Sequence, residues 1–407
     1  MSAVTTTTQS NHKDQAEQHG LKAHSDGGWG LVPVQTRSER FASVVHADFP
    51  AVTGFEAEWK LTPVATIRSL IDGALDGGQY EYSATESIGA TIEWIPRDDA
   101  RIGTAGTSED RAAANAWNSF AKALAITVSG EEPVELTVSR TGLGPEARAA
   151  HTIITAKANS RGHVVLQNNG SALLSENVEI VVEDGADLTV VSIQEWADDA
   201  MHLASHFATV GHDAKLKHMI VSLGGKVVRV NPSVRLIAEG AEVELFGLYF
   251  ADAGQHLEQR VFVHHVAPNT RSRVTYKGAL QGVGAHTVWV GDVLIGRNAA
   301  GTDSYEQNRN LVLSEGTRSD SIPNLEIETG DIAGAGHASA TGRFDDEQLF
   351  YLQARGISEE EARRLVVLGF LSEIVQKIGR HKLEVRLQLA IDAELARSAE
   401  SASGGSQ

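Results

Sequence analysis

The chain has no cysteine among its 407 residues. Disulfides, thiolate metal sites and a cysteine nucleophile are thereby excluded. Basic residues are also scarce: 35 Lys and Arg stand against 53 Asp and Glu, a formal net charge of −18. Nucleic acid and anionic membranes both require a basic surface, so neither is expected as the main partner. No segment approaches the ~18 consecutive apolar residues of a transmembrane helix. Met1–Gly20 has no apolar stretch of the kind that marks a secretory signal. With the missing cysteine, this predicts a cytoplasmic chain. What is present is ordinary for a globular protein: 42% hydrophobic and 22% charged residues, enough length for two or three structural units around a large core.

Residues 1–30 are rich in Thr, Ser, Gln, His and Gly and read as a disordered tail. Residues 31–125 mix helical and loop signals. Thr36–Phe41 suggests a short helix, and Glu109–Ala125 a longer one with Trp117, Phe120, Ala121 and Leu124 on one face. Residues 345–397 read as helical. Asp345 or Asp346 caps a first helix that stops at Gly356, and Ser358-Glu359-Glu360-Glu361 forms a capping box. Ala362, Leu365, Val366, Gly369, Phe370 and Ile374 then share a face. A last helix carries Leu383, Leu387, Ile391 and Leu395 at four-residue steps. Residues 398–407 read as a flexible tail.

Between about 126 and 344 the pattern is different. Short alternating runs recur, such as Val178–Val182, Leu188–Ile193, Glu242–Phe250, Arg260–His264 and Arg273–Lys277. The turns between them keep an almost constant spacing. Asn159-Ser160-Arg161, Asp184-Gly185-Ala186, His212-Asp213-Ala214, Glu239-Gly240-Ala241, Pro268-Asn269-Thr270 and Arg297-Asn298-Ala299 follow one another at 25 to 29 residues, and Thr329-Gly330-Asp331 comes 32 later. A strand-rich repeat of this length predicts a β-solenoid, in which each coil buries its inner face only by stacking on its neighbours. Gly, Asn and Asp suit the corners because such positions often need positive φ. A sandwich would show turns every ~8–12 residues and Asn-Gly hairpin loops, and these are scarce.

Candidate chemistry is sparse. A β-solenoid acting on carbohydrate needs paired carboxylates in a groove, and the acidic residues here are spread through turns. Of the 16 histidines, His12, His19 and His24 fall in the tail. His202 and His206 share a face by alternation but have no third ligand nearby in sequence. His264 and His265 point to opposite faces. Gly278–Gly284 loosely matches a phosphate loop but lacks its Lys-Ser/Thr ending. His337 lies in Gly334-Ala335-Gly336-His337-Ala338-Ser339-Ala340-Thr341-Gly342, a Gly/Ala-rich loop by composition. The small neighbours would leave its imidazole accessible to a partner backbone.

From Ser304 to Phe370 the sequence becomes specific. Arg309-Asn310-Leu311-Val312-Leu313-Ser314, Pro323-Asn324-Leu325-Glu326-Ile327, His337-Ala338-Ser339 and Asp346-Glu347-Gln348-Leu349-Phe350-Tyr351-Leu352 with Arg355-Gly356-Ile357 occur in that order. This stretch resembles the SufB/SufD family. The likeness extends more weakly back to about residue 120 and to Glu58-Trp59-Lys60. It implies a right-handed parallel β-helix with N- and C-terminal helical parts and no stand-alone enzymatic activity. It implies pairing with SufB through the β-helix, docking of the ATPase SufC on the C-terminal helices, and a transient iron–sulfur cluster in the complex rather than a cofactor held by this chain. SufB-like members contribute a cysteine; a cysteine-free chain with His337 at the matching place resembles the SufD side of the family. The resemblance makes His337 the candidate ligand for iron or a nascent cluster, and Ala335 stands where some relatives carry a further cysteine. Phe370, Ile374, Leu383 and Leu387 become candidate SufC contacts, while Phe350, Leu365, Phe370 and Ile374 are also expected to help cap the solenoid's end. The alternatives are a β-helical carbohydrate-active enzyme and a purely structural solenoid adaptor.

Overall fold

The computed structural model describes residues 40–141, 143–344 and 346–404. The chain is mainly β, a solenoid of about eight turns with helices toward both termini. Each coil contributes one strand to each of two nine-stranded sheets. Sheet I runs from Ser83–Ala84 through Val134–Thr141, Arg161–Gly170, Asp187–Trp196, Lys215–Leu223, Glu242–Ala251, Arg271–Leu280 and Thr302–Val312 to Ile332–Arg343. Sheet II runs from Ala90–Pro96 through Lys122–Val128, Gly144–Ala156, Ala172–Val182, Met201–Val210, Val227–Leu236, His256–His265 and His286–Ile295 to Arg318–Ile327. All coil-to-coil pairings are parallel. Among the described residues, only Ser83–Ala84 and Ala90–Pro96, the first strands of the two sheets, pair antiparallel.

Coil length follows the corners. Arg161, Asp187, Lys215, Glu242, Arg271 and Asp303 stack in register, at steps of 26, 28, 27, 29 and 32 residues. The left-handed corner residues Asn159, Gly185, Asp213, Gly240, Asn269 and Gly301 have φ between 50° and 73° and repeat the same steps. The sequence places the penultimate corner at Asn298; the left-handed residue is Gly301, because this coil is three residues longer.

Inside, alternate residues of both sheets meet in one apolar core that includes Leu174, Val190, Leu245 and Trp289. Both outer faces are covered. On sheet II lie the 3₁₀ turn His46–Asp48, α1 (Arg68–Asp72) and α2 (Arg111–Ser119), with Trp59, Ile67 and Leu70 packed on Leu203 and Val227, and Trp117 and Phe120 on Ile153 and Phe207. Asp110 caps α2 by accepting from the Ala113 amide at 2.8 Å. The predicted helix 109–125 ends early, at Ser119. Phe120 is extended, and Leu124 and Ala125 join a strand laddered on both sides by Ala90–Pro96 and Gly144–Ala156. Two ladders outweigh the helical preference of an Ala-rich segment. Of the helix suggested at 36–41, residues 36–39 lie outside those described, as do the tail 1–30 and its histidines; Arg40 and Phe41 are not helical.

On sheet I lie α4 (Glu359–Val375) and α5 (His381–Gly404), following α3 (Asp346–Gln353). Ser358 accepts from the Glu361 amide at 3.2 Å as the capping box predicts, while the Glu361 carboxylate pairs with Arg364. Arg364 also grips Asp392 through two 2.8 Å bonds, tying α4 to α5. Helix α5 continues to Gly404, beyond the expected start of a flexible tail at 398. No helix among the described residues is long and apolar enough to cross a membrane.

Candidate functional site at the open end of the solenoid

The last coil differs from the rest. Among the described residues, its strands Arg318–Ile327 and Ile332–Arg343 each pair on one side only, with His286–Ile295 and Thr302–Val312. Two edges of ten and twelve residues thus present unpaired backbone groups, a ready template for another strand. Pro323 is tolerated here because an edge strand can lack a donor. The expectation that Phe350 and Leu365 help cap this end is not met. The C-terminal helices lie on the outer face of sheet I instead, and those two side chains are exposed at 73% and 43%.

His337 sits on the edge strand, not in a loop. Gly334–Gly342 continues the ladder of Thr302–Val312 residue for residue, so Ser304, Glu306, Asn308 and Asn310 lie beneath Ala335, His337, Ser339 and Thr341. Pairing overrides the weak strand preference of a Gly/Ala-rich segment. Alternation puts these residues on the inner face, where Ala335 touches the core. His337 therefore looks into the solenoid from its open end, and its side chain stays 44% exposed because no further coil covers it.

Directly beneath it lies Glu306, with no side-chain exposure. Its Oε1 is 3.7 Å from His337 Nδ1, and neither carboxylate oxygen has a hydrogen bond of good geometry, the Asn324 backbone N–H being the one donor that acts on it. Gly291 makes the space: a Cβ there would collide with Glu306 Oε2 and the Trp289 ring. Burial, reinforced by the negative charge of Asp292 and only partly opposed by the Asn324 amide, pushes the Glu306 carboxyl up to about 8. Sequence reasoning missed this residue. The signal was the coil length: 306 is one 31-residue step before 337, so the solenoid stacks the two.

A polar chain runs inward beside this pair. Ser339 donates to Ser321 at 2.8 Å, Ser321 to Asn308 Oδ1 at 2.7 Å, Asn308 Nδ2 to Tyr249 Oη at 2.8 Å, and Tyr249 to Asn310 Oδ1 at 2.6 Å. Tyr249 and Gly278 are register partners, as are Tyr276 and Gly247, so each ring occupies the space a side chain would fill. Gly278 is thus a strand residue under an aromatic ring, and Gly282 and Gly284 form a corner with φ of 81°. The segment is no phosphate loop.

The other singled-out histidines have structural partners. His202 accepts from Trp196 Nε1 at Nδ1 (3.2 Å), so its Nε2–H donates to Glu176 at 2.8 Å. Arg140 holds the same carboxylate through bonds of 2.7 and 2.8 Å. His206 Nδ1 meets His218 Nε2 at 2.9 Å. Burial lowers His206 to about 4 and depresses His218 as well. His265 bonds to Thr270 and Ser272 inside while His264 faces outward. Among the described residues, no group of three or more His, Asp or Glu is gathered to hold a metal.

Of the candidate docking residues, two are covered within the chain itself. Ile374 and Leu387 are buried against Phe246, Leu248 and Met219 of sheet I, and Phe370 and Leu383 pack partly into the same cluster. The four-residue spacing identified the face that binds the solenoid. Among the described residues, the exposed large apolar side chains of these helices are Phe350, Tyr351, Leu365, Val385 and Leu389.

Residues 138–370 match the family model for the SufBD core domain of the SUF system for iron–sulfur cluster assembly. An iron–sulfur cluster assembly SufBD family protein of Mycobacterium bovis is 48% identical over 370 residues, covering 88% of this chain and 93% of its own length. A Mycobacterium leprae protein so described is 48% identical over 365 residues, 87% and 93% of the two chains. One from Staphylococcus epidermidis is 32% identical over 208 residues, 51% of this chain and 44% of its own.

Proposed function

Since the chain belongs to the SufBD family of iron–sulfur cluster assembly proteins, we propose that it is the SufD-type subunit of a SufBCD complex, a scaffold with no enzymatic activity of its own. The carrying observation is one imidazole, His337, on the inner face of the last strand and left accessible at the unpaired end of a cysteine-free solenoid. Any thiolate must come from a second chain. The open strands Arg318–Ile327 and Ile332–Arg343 suit a SufB-type partner that adds its own edge strands, since main-chain pairing supplies affinity and the inner face supplies specificity. His337 then stands at the seam, where imidazole and partner thiolate form a reasonable ligand set for iron. The cluster is cargo of the complex. A SufC-type ATPase docks on the C-terminal helices through the exposed Phe350, Tyr351, Leu365, Val385 and Leu389, not through the covered Ile374 and Leu387. The lack of cysteine accords with a cytoplasmic setting.

The test is co-expression with SufB- and SufC-type partners, mass analysis of the assembly, and cluster formation in the reconstituted complex. His337→Ala is expected to leave assembly intact and to slow cluster formation roughly tenfold or more, in line with the loss of a metal-site residue. An unchanged rate refutes the ligand role. Failure of the three chains to assemble refutes the scaffold reading.

A further inference from the structure

The buried Glu306 carboxyl makes no well-formed hydrogen bond beneath the proposed ligand and has only the nearby Asn324 backbone N–H to offset its burial, and a native fold rarely tolerates such a group unless something else partners it. His337 Nδ1, at 3.7 Å from Oε1, is too far for a hydrogen bond. The separation suits a shared cation. Two metal–ligand bonds of about 2.1 Å meeting near the tetrahedral angle hold N and O about 3.4 Å apart. Gly291 leaves the room in which the carboxylate lies, and the open end above His337 admits an ion together with further ligands.

We infer that Glu306 and His337 form a two-donor site for a divalent first-row metal ion, so that the metal is held by a carboxylate from one coil and an imidazole from the next. This deepens the proposed function and rests on His337 being a ligand. The ion supplies the partner that Glu306 lacks. Both donors come from neighbouring strands of one ladder, so the pair is fixed before any partner arrives. Two donors leave the coordination sphere incomplete, so the ion stays exchangeable until water or a second chain completes the set. Carboxylate with imidazole is an oxygen–nitrogen set that accepts iron(II) or cobalt(II) readily and confers no preference for soft metals.

The experiment is titration of the purified full chain with cobalt(II), read by its visible absorption. Wild type, Glu306→Gln, His337→Ala and the control His212→Ala, on an exposed turn, are compared, with circular dichroism confirming that each is folded. Glu306→Gln preserves shape and removes the charge. The expected result is that Glu306→Gln and His337→Ala each weaken cobalt binding roughly tenfold or more, while the control binds as wild type does. If only His337→Ala weakens binding, Glu306 is not a ligand and the proposal fails while the reading of His337 survives. If only Glu306→Gln weakens it, the shared site fails, and cluster formation in the complex carrying His337→Ala decides the imidazole. Equal binding by wild type and both variants refutes the site in the isolated chain; cluster formation in the complex carrying His337→Ala then decides the imidazole separately.

Discussion

Replacing Arg229 with Met is expected to loosen the N-terminal region from the solenoid. The guanidinium is buried on the outer face of sheet II. It bonds Asp110 Oδ2 at 2.7 Å and Glu258 Oε1 at 3.2 Å, reaches the Glu58 carbonyl at 3.3 Å, and lies 4.1 Å from the centre of the Trp59 ring. Removing one partner of a buried ion pair costs about 3–5 kcal/mol, because the remaining charge stays dehydrated. Here the residual charges are partly held. Glu258 keeps Arg260 at 2.5 Å, His256 at 3.0 Å and Thr62 at 2.8 Å. Asp110 keeps the Ala113 amide and Asn231. Loss of the cation–π contact adds about 1 kcal/mol, and the Met side chain preserves most of the packing of the stem. The net expectation is about 3 kcal/mol, or a urea midpoint lower by roughly 1 M at a slope of about 3 kcal/mol per M. Urea denaturation followed by tryptophan fluorescence measures it, and hydrogen exchange locates it, with faster exchange in α2 and in Val227–Leu236. Asp110→Asn added to Arg229→Met should recover about 1 kcal/mol or more, since the neutral amide no longer needs the cation. A midpoint within 0.2 M of wild type, or strictly additive effects, would refute the clamp.

Two further outcomes follow from buried groups elsewhere. Lys277, in sheet I, is nearly buried and donates to the Phe370 carbonyl at 3.1 Å, pairs with Glu373, and lies 4.6 Å from the Phe370 ring centre. Lys277→Met should leave the solenoid folded but raise hydrogen exchange in α4, with a loss of about 2 kcal/mol; unchanged exchange in α4 would show that apolar packing alone holds the helix. Stability should also fall with acid. His206 is held neutral to about pH 4 by burial, whereas the unfolded chain takes up that proton near pH 6.5. Between those values the unfolded state binds more protons, so stability declines as pH falls, by about 1.4 kcal/mol per unit for each such group and about 3 kcal/mol in all for His206. Urea midpoints at pH 7, 5.5 and 4.5 check this, and His206→Gln should flatten the slope.

Much of the fold was legible because the solenoid writes its geometry into the sequence at short range. Every coil must turn at the same place, and a left-handed corner accepts Gly, Asn or Asp at little cost. Asn159, Gly185, Asp213, Gly240 and Asn269 are therefore visible as a spacing. His337 was legible by residue type and family pattern, although its strand was not, because Gly and Ala carry almost no strand preference and the neighbouring ladder decides. The boundary of α2 was misjudged for the same reason: Leu124 and Ala125 fit a helix until strands on both sides claim them.

The sequence by itself determined the repeat, most of its corners, the absence of any thiolate and an imidazole at His337 set among small residues late in the chain. Tertiary structure alone decided which face each residue takes. It turned Ile374 and Leu387 against sheet I, joined Arg229 to Asp110 across 119 residues, and set His337 on the inner face above Glu306. These are long-range outcomes. Apolar periodicity says that a face is buried but not against what, and a carboxylate reveals that it lacks a partner only once the surrounding coils have closed around it.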